Sequence, residues 1–231
     1  MRHAPRLYAS LAVLAALLLT PGCLGAPRPG GTGDGREPEP GQLPRAEVQE
    51  YEGRDLSSID DFRENSIAGP QNVDRDSYEL AISGLVEEPV SLSYDEVLAE
   101  RAYKKVVTLD CVEGWSVDIL WEGVLFADLI ERAGPAPGAN TVVFRAVDGY
   151  STSLPLDYLL ENDILLAYSM NGVELPPERG FPFQLVAEDK WGYKWIKWIT
   201  GIQLTDDPTY RGYWESRGYS NSGDRDKSSR E

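Results

Sequence analysis

The amino-acid sequence predicts an α+β domain, and three observations point to that class. Many short runs of residues either alternate apolar with polar side chains or are continuously apolar, and they end at turn residues, which is typical of short β-strands. Few segments have helical periodicity, and these are short. The 231-residue chain has no internal repeat, and residues 46–219 form one continuous region of ordinary domain size. The expected architecture is therefore mixed short strands with a few short helices.

The first half of the domain predicts two strands separated by one helix. Residues 78–82 alternate apolar and polar side chains before Gly84, which predicts the first strand. The Ser93–Glu96 capping box opens a short helix that runs to residue 100. The apolar run 106–109 predicts a second strand, which leads directly into an acidic residue and a cysteine.

The second half continues with two helices and further strands. Residues 124–132 are periodic and are closed by a Gly-Pro pair, which predicts a helix. A strand at 141–146 follows, then a short helix at 156–160. The strand at 164–170 ends at Asn171-Gly172, a strong hairpin signal. The last predicted strands are 183–186 and 195–204.

The N-terminal residues predict export and a lipid anchor. Residues 1–23 combine a positively charged start with the apolar run Leu11–Leu19, which is too short to span a bilayer and is typical of a signal peptide. Cys23 resembles the lipid-modified cysteine of a bacterial lipobox; an ordinary secretory leader is the alternative. Residues 24–45 contain six glycines and five prolines and predict a flexible tether. Residues 220–231 are expected to form a polar tail.

Composition excludes several kinds of chemistry and partner. The only histidine, His3, lies in the predicted leader, so the mature chain cannot support Ser-His-Asp catalysis, a His-ligated metal or a His-ligated haem. The net charge is −16, and loss of residues 1–23 removes two arginines and no acid, which leaves −18. This charge argues against binding to nucleic acid or anionic lipid and is compatible with a basic partner.

Cys111 is the one thiol left in the predicted mature domain. In an oxidising compartment it has no internal partner for a disulfide. It is either a small buried hydrophobe or a functional group presented by a loop, since Asp110 and Glu113 flank it at a strand end. Each acid is either a proton donor or simply solvated.

A second candidate region is Lys190–Trp198, in which three lysines are interleaved with four aromatic residues around Gly192. Lysines and backbone amides at a turn suit a phosphate, and the aromatic rings suit a flat ligand. The alternative is a strand with solvated lysines on one face and core tryptophans on the other. Tyr150 is either a core tyrosine or a site residue.

Five motifs in register carry a resemblance to a known family. They are Asp110-Cys-Val-Glu-Gly-Trp115, Tyr168-Ser-Met-Asn-Gly172, Leu175-Pro-Pro-Glu-Arg-Gly-Phe-Pro182, Gly192-Tyr-Lys-Trp-Ile-Lys-Trp198 and Gly212-Tyr-Trp214. Together they resemble the molybdopterin-binding domain of the sulfite oxidase family, from about Phe62 to Tyr219. The resemblance implies the mixed fold of that family and a molybdenum–molybdopterin cofactor without a nucleotide extension.

The resemblance also implies roles for individual residues. Cys111 would bind molybdenum as a thiolate, and Tyr150 would be the active-site tyrosine. The residues that would contact the cofactor are Asn65, Arg179, Gly192, Tyr193, Lys194 and Lys197. A thiolate is a soft ligand suited to such a metal, and phosphate in an acidic protein needs local cations.

Departures from the pattern of sulfite oxidases indicate which branch of the family this chain resembles. Where sulfite oxidases carry arginines for sulfite, this chain has Glu113, followed by Gly114 and Trp115, and Glu64 in the N-terminal loop. An anionic substrate would be repelled there. The Cys-Val-Glu-x-Trp pattern resembles the periplasmic protein-methionine-sulfoxide reductase branch, which implies that Glu113 lies near the metal and can deliver protons. Arg179 stands at a histidine position of the family.

The sequence therefore predicts a membrane-tethered, extracytoplasmic oxidoreductase that carries out two-electron oxygen-atom transfer, reducing a sulfoxide or N-oxide. Electrons would come from a separate partner such as a membrane cytochrome, and a monomer is expected. Sulfite oxidation is the alternative reaction. Because the leader has no twin-arginine pair, a non-enzymatic binding lipoprotein that has lost the cofactor is the alternative class.

Overall fold

The computed structural model describes residues 46–230. The predicted leader, the tether and Cys23 lie outside the described residues. Within them, no helix has the length and apolar character needed to cross a membrane. The strands are β1 (Glu50–Tyr51), β2 (Arg54–Asp55), β3 (Glu79–Gly84), β4 (Val90–Ser93), β5 (Ala102–Asp110), β6 (Ser116–Leu125), β7 (Thr141–Ala146), β8 (Ser151–Pro155), β9 (Leu165–Met170), β10 (Val173–Glu174), β11 (Gln184–Val186) and β12 (Ile199–Thr205). The α-helices are α1 (Tyr94–Leu98), α2 (Phe126–Glu131) and α3 (Leu156–Glu161), and 3₁₀ turns span Pro177–Arg179, Gly192–Lys194 and Glu215–Arg217.

The strands form one two-stranded ladder and two five-stranded sheets. One sheet has the order β10-β9-β6-β5, with β11 also paired to β9, and all its pairs are antiparallel. The other has the order β4-β3-β12-β7-β8, in which only the β3–β12 pair is parallel among the described strands. The predicted α+β class is confirmed.

Both five-stranded sheets bury side chains in one apolar core. In β3, Leu80 and Ile82 are buried while their neighbours face outward, as the alternating pattern predicts. Trp121 from β6 and Phe144 from β7 are fully buried in the same cluster. Burying an apolar side chain of this size stabilises the fold by roughly 1.5–3 kcal/mol, so the two sheets hold each other in a fixed arrangement.

Local signals identified several elements correctly. The side chain of Ser93 accepts from the amide of Glu96 and the side chain of Glu96 accepts from the amide of Ser93, which completes the predicted capping box at α1. The predicted hairpin turn joins β9 to β10, with Asn171 and Gly172 at φ of 47° and 76°. Both residues therefore have the left-handed conformation that this type of turn requires.

Two predicted elements have different boundaries in the structure. The helix predicted at 124–132 begins at Phe126, because Val124 is still a strand residue that pairs with Leu166 of β9. The strand predicted at 195–204 begins at Ile199, because Trp198 has a φ of 53° and breaks the extended backbone. Residues 195–198 instead form a loop.

Residues 220–230, which lie within the predicted polar tail at 220–231, pack against the domain. Gly223 accepts a backbone hydrogen bond from Trp191 at 2.8 Å. Asp224 forms ion pairs with Lys190 at 2.5 Å and with Lys227 at 2.6 Å. Main-chain and charged groups therefore order a segment that has few apolar side chains.

We expect Asp224→Asn to lower the free energy of unfolding by about 1 kcal/mol at pH 7. Desolvation acts to raise the pKa of Asp224, but hydrogen bonds from Lys190 and Lys227 outweigh it and lower that pKa from 3.8 to about 2. Because the pKa is lower in the folded chain, the stabilisation is complete above about pH 4 and is lost as the pH falls toward 2. Urea unfolding of wild type and variant at several pH values measures this. The exposed neighbour variant Asp226→Asn is the control, and an equal loss of stability at pH 7 and pH 2 would contradict the assignment.

Candidate active site

A cavity of about 360 Å³ brings together eight of the nine residues predicted for the catalytic or cofactor site. They are Asn65, Cys111, Glu113, Tyr150, Arg179, Gly192, Tyr193 and Lys197. Its volume lies within the usual range for small-ligand sites, roughly 300–1,000 Å³. Residues that are distant in sequence thus meet at one concave surface.

Cys111 lies at the tip of the β5–β6 hairpin. Nine residue pairs join the two strands, from Ala102 opposite Val124 to Asp110 opposite Ser116. The amide of Cys111 donates to the carbonyl of Trp115 at 2.9 Å, and Gly114 turns the chain with a φ of 87°. These backbone features therefore hold the main chain of Cys111 in place without any contribution from its thiol.

The surroundings of the thiol are acidic and aromatic. The Nδ2 of Asn65 lies 3.7 Å from the Sγ of Cys111 and donates to the Oε2 of Glu113 at 3.2 Å. The indole Nε1 of Trp115 donates to the same oxygen at 3.3 Å. Burial raises the pKa of the Cys111 thiol, and the charge of Glu113 adds to this shift. The isolated chain therefore favours the protonated thiol, whereas a bound metal ion would keep it deprotonated.

Gly192 allows two parts of the chain to approach each other closely. A β-bridge pairs Asp110 with Trp191, and a Cβ atom on Gly192 would lie 3.3 Å from the carbonyl oxygen of Asp110 and 3.6 Å from the Cα of Cys111. A larger side chain at this position would push the hairpin tip away. The small residue thus sets the distance between the thiol and the loop that carries Tyr193.

Three cations line the cavity, Arg63, Arg179 and Lys197, and the last two already have partners in the chain. The Nζ of Lys197 forms an ion pair with Glu64 at 2.7 Å. The guanidinium of Arg179 donates to the carbonyls of Ile59 at 2.9 Å and Phe62 at 2.6 Å. Burial lowers the pKa of both groups, although Glu64 opposes this at Lys197. The acid noted at Glu64 in the sequence thus neutralises one cation of the site.

Lys194, which was predicted to contact the cofactor phosphate, is not among the described residues that line the cavity. Its side chain is fully buried and forms an ion pair with Glu215 at 2.6 Å. It also donates to the carbonyl of Ser153 at 2.9 Å. The same 3₁₀ turn that places Gly192 and Tyr193 on the cavity directs Lys194 into the interior.

Aromatic rings form one wall of the cavity. Trp214 and Tyr219 line it beside Tyr150 and Tyr193, with ring centroids 5.1 Å apart for Tyr193 and Tyr219 and 5.2 Å for Trp214 and Tyr219. The hydroxyl of Tyr150 donates to the carbonyl of Tyr193 at 2.5 Å, and burial raises the pKa of Tyr150 well above its usual value. Trp214 and Tyr219 were not predicted as site residues, although the Gly212-Tyr-Trp214 motif was a signal for them.

The donor set fits the molybdenum–molybdopterin that the resemblance implies. Cys111 offers a soft sulfur ligand at the cavity wall. Tyr193, Trp214 and Tyr219 supply aromatic rings suited to a flat pterin, and three cations of the lining suit an anionic group. Among residues 46–230, no cluster of three or more histidine, cysteine or acidic side chains could hold a metal ion by itself.

Comparisons with known proteins identify a family and several relatives of this chain. Residues 67–214 match the family model of the oxidoreductase molybdopterin binding domain. An uncharacterized oxidoreductase, YuiH, of Bacillus subtilis is 40% identical over 156 residues, which cover 67% of this chain and 78% of the relative. The protein-methionine-sulfoxide reductase catalytic subunit MsrP of Gluconobacter oxydans is 35% identical over 145 residues, covering 55% of this chain and 46% of the relative. The chain thus spans most of YuiH but about half of this reductase subunit.

The fold has a counterpart among solved structures. The sulfane dehydrogenase SoxCD of Paracoccus pantotrophus superposes with a TM-score of 0.58 at 23% identity, over 60% of this chain and 41% of that chain. At this identity the likeness concerns the fold alone. The match over 67–214, the relatives and the thiol-bearing cavity lead to one conclusion: this chain belongs to the oxidoreductase molybdopterin-binding domain family, the family of sulfite oxidase.

Proposed function

We propose that this molybdopterin-dependent oxidoreductase reduces a neutral sulfoxide. The observation that carries the proposal is the carboxylate of Glu113, which Asn65 and Trp115 hold beside the thiol of Cys111. A negative charge there disfavours sulfite and other anions but tolerates an uncharged S=O group. The similarity to the Gluconobacter oxydans protein-methionine-sulfoxide reductase catalytic subunit supports the same substrate class.

The reaction converts a sulfoxide, two protons and two electrons into a thioether and water. The bound cofactor supplies the two-electron redox chemistry. Cys111 supplies the thiolate ligand, and the aromatic wall orients the pterin and excludes water. Arg179 and Lys197 balance the charge of the phosphate. For Lys197 this means sharing its ammonium between Glu64 and the cofactor.

The electrons come from a separate protein in this proposal, because the predicted mature chain contains no histidine for a haem. The composition of residues 1–45 supports a lipid anchor at Cys23 and a position on the extracytoplasmic face of the membrane. A cytochrome in the same membrane is a donor that such an anchor would keep close.

The proposal is tested with full-length protein from a host that makes molybdopterin. Methionine sulfoxide and a reduced dye measure reduction, and sulfite with an oxidised dye measures the alternative reaction. We expect bound molybdenum and turnover of the sulfoxide. Sulfite turnover that exceeds sulfoxide turnover would contradict the proposed direction, and protein without molybdenum would support the cofactor-free lipoprotein.

Glu113→Gln is expected to raise the ratio of kcat/KM for sulfite to kcat/KM for methionine sulfoxide by about tenfold. Glutamine can still accept from Asn65 and Trp115, so the variant removes the charge and the proton that a carboxylic acid could deliver, and both losses act in the same direction on this ratio. Two charges a few ångströms apart near a protein surface interact by a few kcal/mol, and the exposure of Glu113 reduces this to roughly 1.4 kcal/mol. Glu131→Gln, on α2 outside the cavity lining, is the control. An unchanged ratio would show that the charge of Glu113 does not select the substrate.

A further inference from the structure

We propose that residues 220–230, here called the C-terminal strap, are part of the cofactor site, with Arg225 and Asp224 as positioning residues that hold Cys111 and Gly192 in place. The strap follows the segment that matches the family model, which ends at residue 214. The proposal rests on Cys111 as the ligand of the cofactor metal. No residue of the strap is among the described residues that line the cavity, so its effect must pass through other residues.

The strap is tied to the hairpin that carries the thiol. The Nη1 of Arg225 forms an ion pair with the Oδ2 of Asp110 at 3.1 Å. Asp110 is the last residue of β5 and immediately precedes Cys111. Its side chain is 20% exposed and that of Arg225 is 51% exposed, so the pair lies at the edge of the domain. The contact restrains the hairpin on the side where the β5–β6 ladder ends.

The strap is also tied to the loop that carries Gly192 and Tyr193. The amide of Trp191 donates to the carbonyl of Gly223 at 2.8 Å, and the amide of Arg225 donates to the carbonyl of Asp189 at 2.9 Å. The ammonium of Lys190 donates to Asp224 at 2.5 Å. The strap thus contacts each of the three residues that precede Gly192.

Three further contacts extend the strap along the cavity wall. The hydroxyl of Tyr193 donates to the carbonyl of Ser220 at 2.8 Å. The guanidinium of Arg230 lies 4.4 Å from the ring centroid of Tyr219. A Cβ atom on Gly223 would lie 2.6 Å from the Cγ of Lys194, so the strap packs tightly on that buried side chain. Two aromatic residues of the cavity wall are therefore supported from outside by this one segment.

These contacts place the strap across the joint between the hairpin and the loop. The β-bridge between Asp110 and Trp191 joins the hairpin to the loop. Arg225 contacts Asp110 on the hairpin, and Gly223 contacts Trp191 on the loop. Exposed ion pairs contribute little to the stability of a fold. Groups that orient a metal ligand from outside commonly change metal affinity by 10–100-fold when they are lost. Loss of the Arg225–Asp110 pair at the edge of the domain is therefore expected to affect cofactor retention more than folding.

The test compares Arg225→Gln, Asp110→Asn and the double variant with wild type, all as full-length protein from a host that makes molybdopterin. Pterin fluorescence released into buffer gives the rate of cofactor loss, and molybdenum per protein gives the occupancy. We expect each single variant to lose cofactor about tenfold faster than wild type, and the double variant to lose it no faster than the single ones. Asp226→Asn, which removes an exposed strap charge that forms no hydrogen bond or ion pair with Asp110 or Asp224 in the described residues, is expected to stay within twofold of wild type. Arg225→Lys should lose cofactor at a rate between those of wild type and Arg225→Gln, because it keeps the charge but loses the planar donor group.

Wild-type rates in Arg225→Gln would overturn the proposal. Effects that multiply in the double variant would also overturn it, because the two residues would then act independently. Melting temperatures identify a variant that is merely unfolded. Cys111→Ser separates this inference from the assignment of the metal ligand. If Cys111→Ser binds cofactor as wild type does, the ligand assignment fails and the inference fails with it. If Cys111→Ser loses cofactor and Arg225→Gln does not, only the inference fails.

Discussion

Cys111→Ser is expected to yield a folded protein that contains little molybdenum and no oxidoreductase activity above background. The fold should survive because the amide of Cys111 and the turn at Gly114, not the thiol, hold the hairpin loop. The metal should be lost because a serine hydroxyl is a harder donor and far less acidic than a thiol, so it replaces a thiolate poorly as a ligand of a soft site. We expect molybdenum per protein to fall at least about tenfold.

The measurement is molybdenum per protein, together with the rate of methionine sulfoxide reduction and the melting temperature. Val112→Ala is a matched control, because Val112 lines the same cavity from the same loop and has no metal-binding group. It should retain molybdenum. A Cys111→Ser protein with full molybdenum and full activity would exclude Cys111 as the metal ligand and would leave the buried-hydrophobe interpretation of this residue.

Lys194→Met is expected to lower the free energy of unfolding by about 3–5 kcal/mol, a large part of the total for a domain of this size. The side chains of Lys194 and Glu215 are both fully buried, so neither charge is shared with water. Glu215 accepts a second hydrogen bond from Thr152 at 2.5 Å, and its other oxygen has no hydrogen-bond partner in the described residues. Without the ammonium, a buried carboxylate would keep a single neutral donor.

The double variant Lys194→Met, Glu215→Met separates this explanation from a role in cofactor binding. Replacing a buried ion pair with apolar side chains of similar size is often neutral or stabilising, so stability should return to within about 1 kcal/mol of wild type. Urea unfolding measures the stability, and pterin content measures binding. If the double variant regains stability but holds no pterin, Lys194 binds the phosphate as the resemblance implied. If it regains both, Lys194 serves only the fold.

The sequence predicted the parts of the fold that depend on neighbouring residues. The capping box at Ser93 and the turn at Asn171 are decided within four residues, and both were predicted correctly. The thiol was a candidate because of its position after a strand. The other site residues were predicted through the resemblance and not from their own surroundings, since Asn65, Arg179 and the rest become neighbours only in the folded chain.

The features that were missed depend on contacts between distant residues. Polar composition predicted a tail at 220–231 without indicating that Arg225 pairs with Asp110, 115 positions earlier. The spacing of Lys194 and Lys197 did not show which lysine faces the cavity. The backbone leaves the extended conformation at Trp198, and Lys194 is buried because it pairs with Glu215. No local pattern carries such information, since the partner that decides the outcome lies elsewhere in the chain.

The topology of the domain has a consequence for the order of events during folding. The β5–β6 hairpin that presents Cys111 connects neighbours in sequence, whereas the parallel β3–β12 pair joins Ala81 to Gly201. Contacts between close neighbours form quickly, and those that close long loops form late. The thiol is therefore expected to reach its place before the Gly192 loop that faces it, so that the binding residue precedes the binding cavity. Cofactor capture is expected to follow folding and not to guide it.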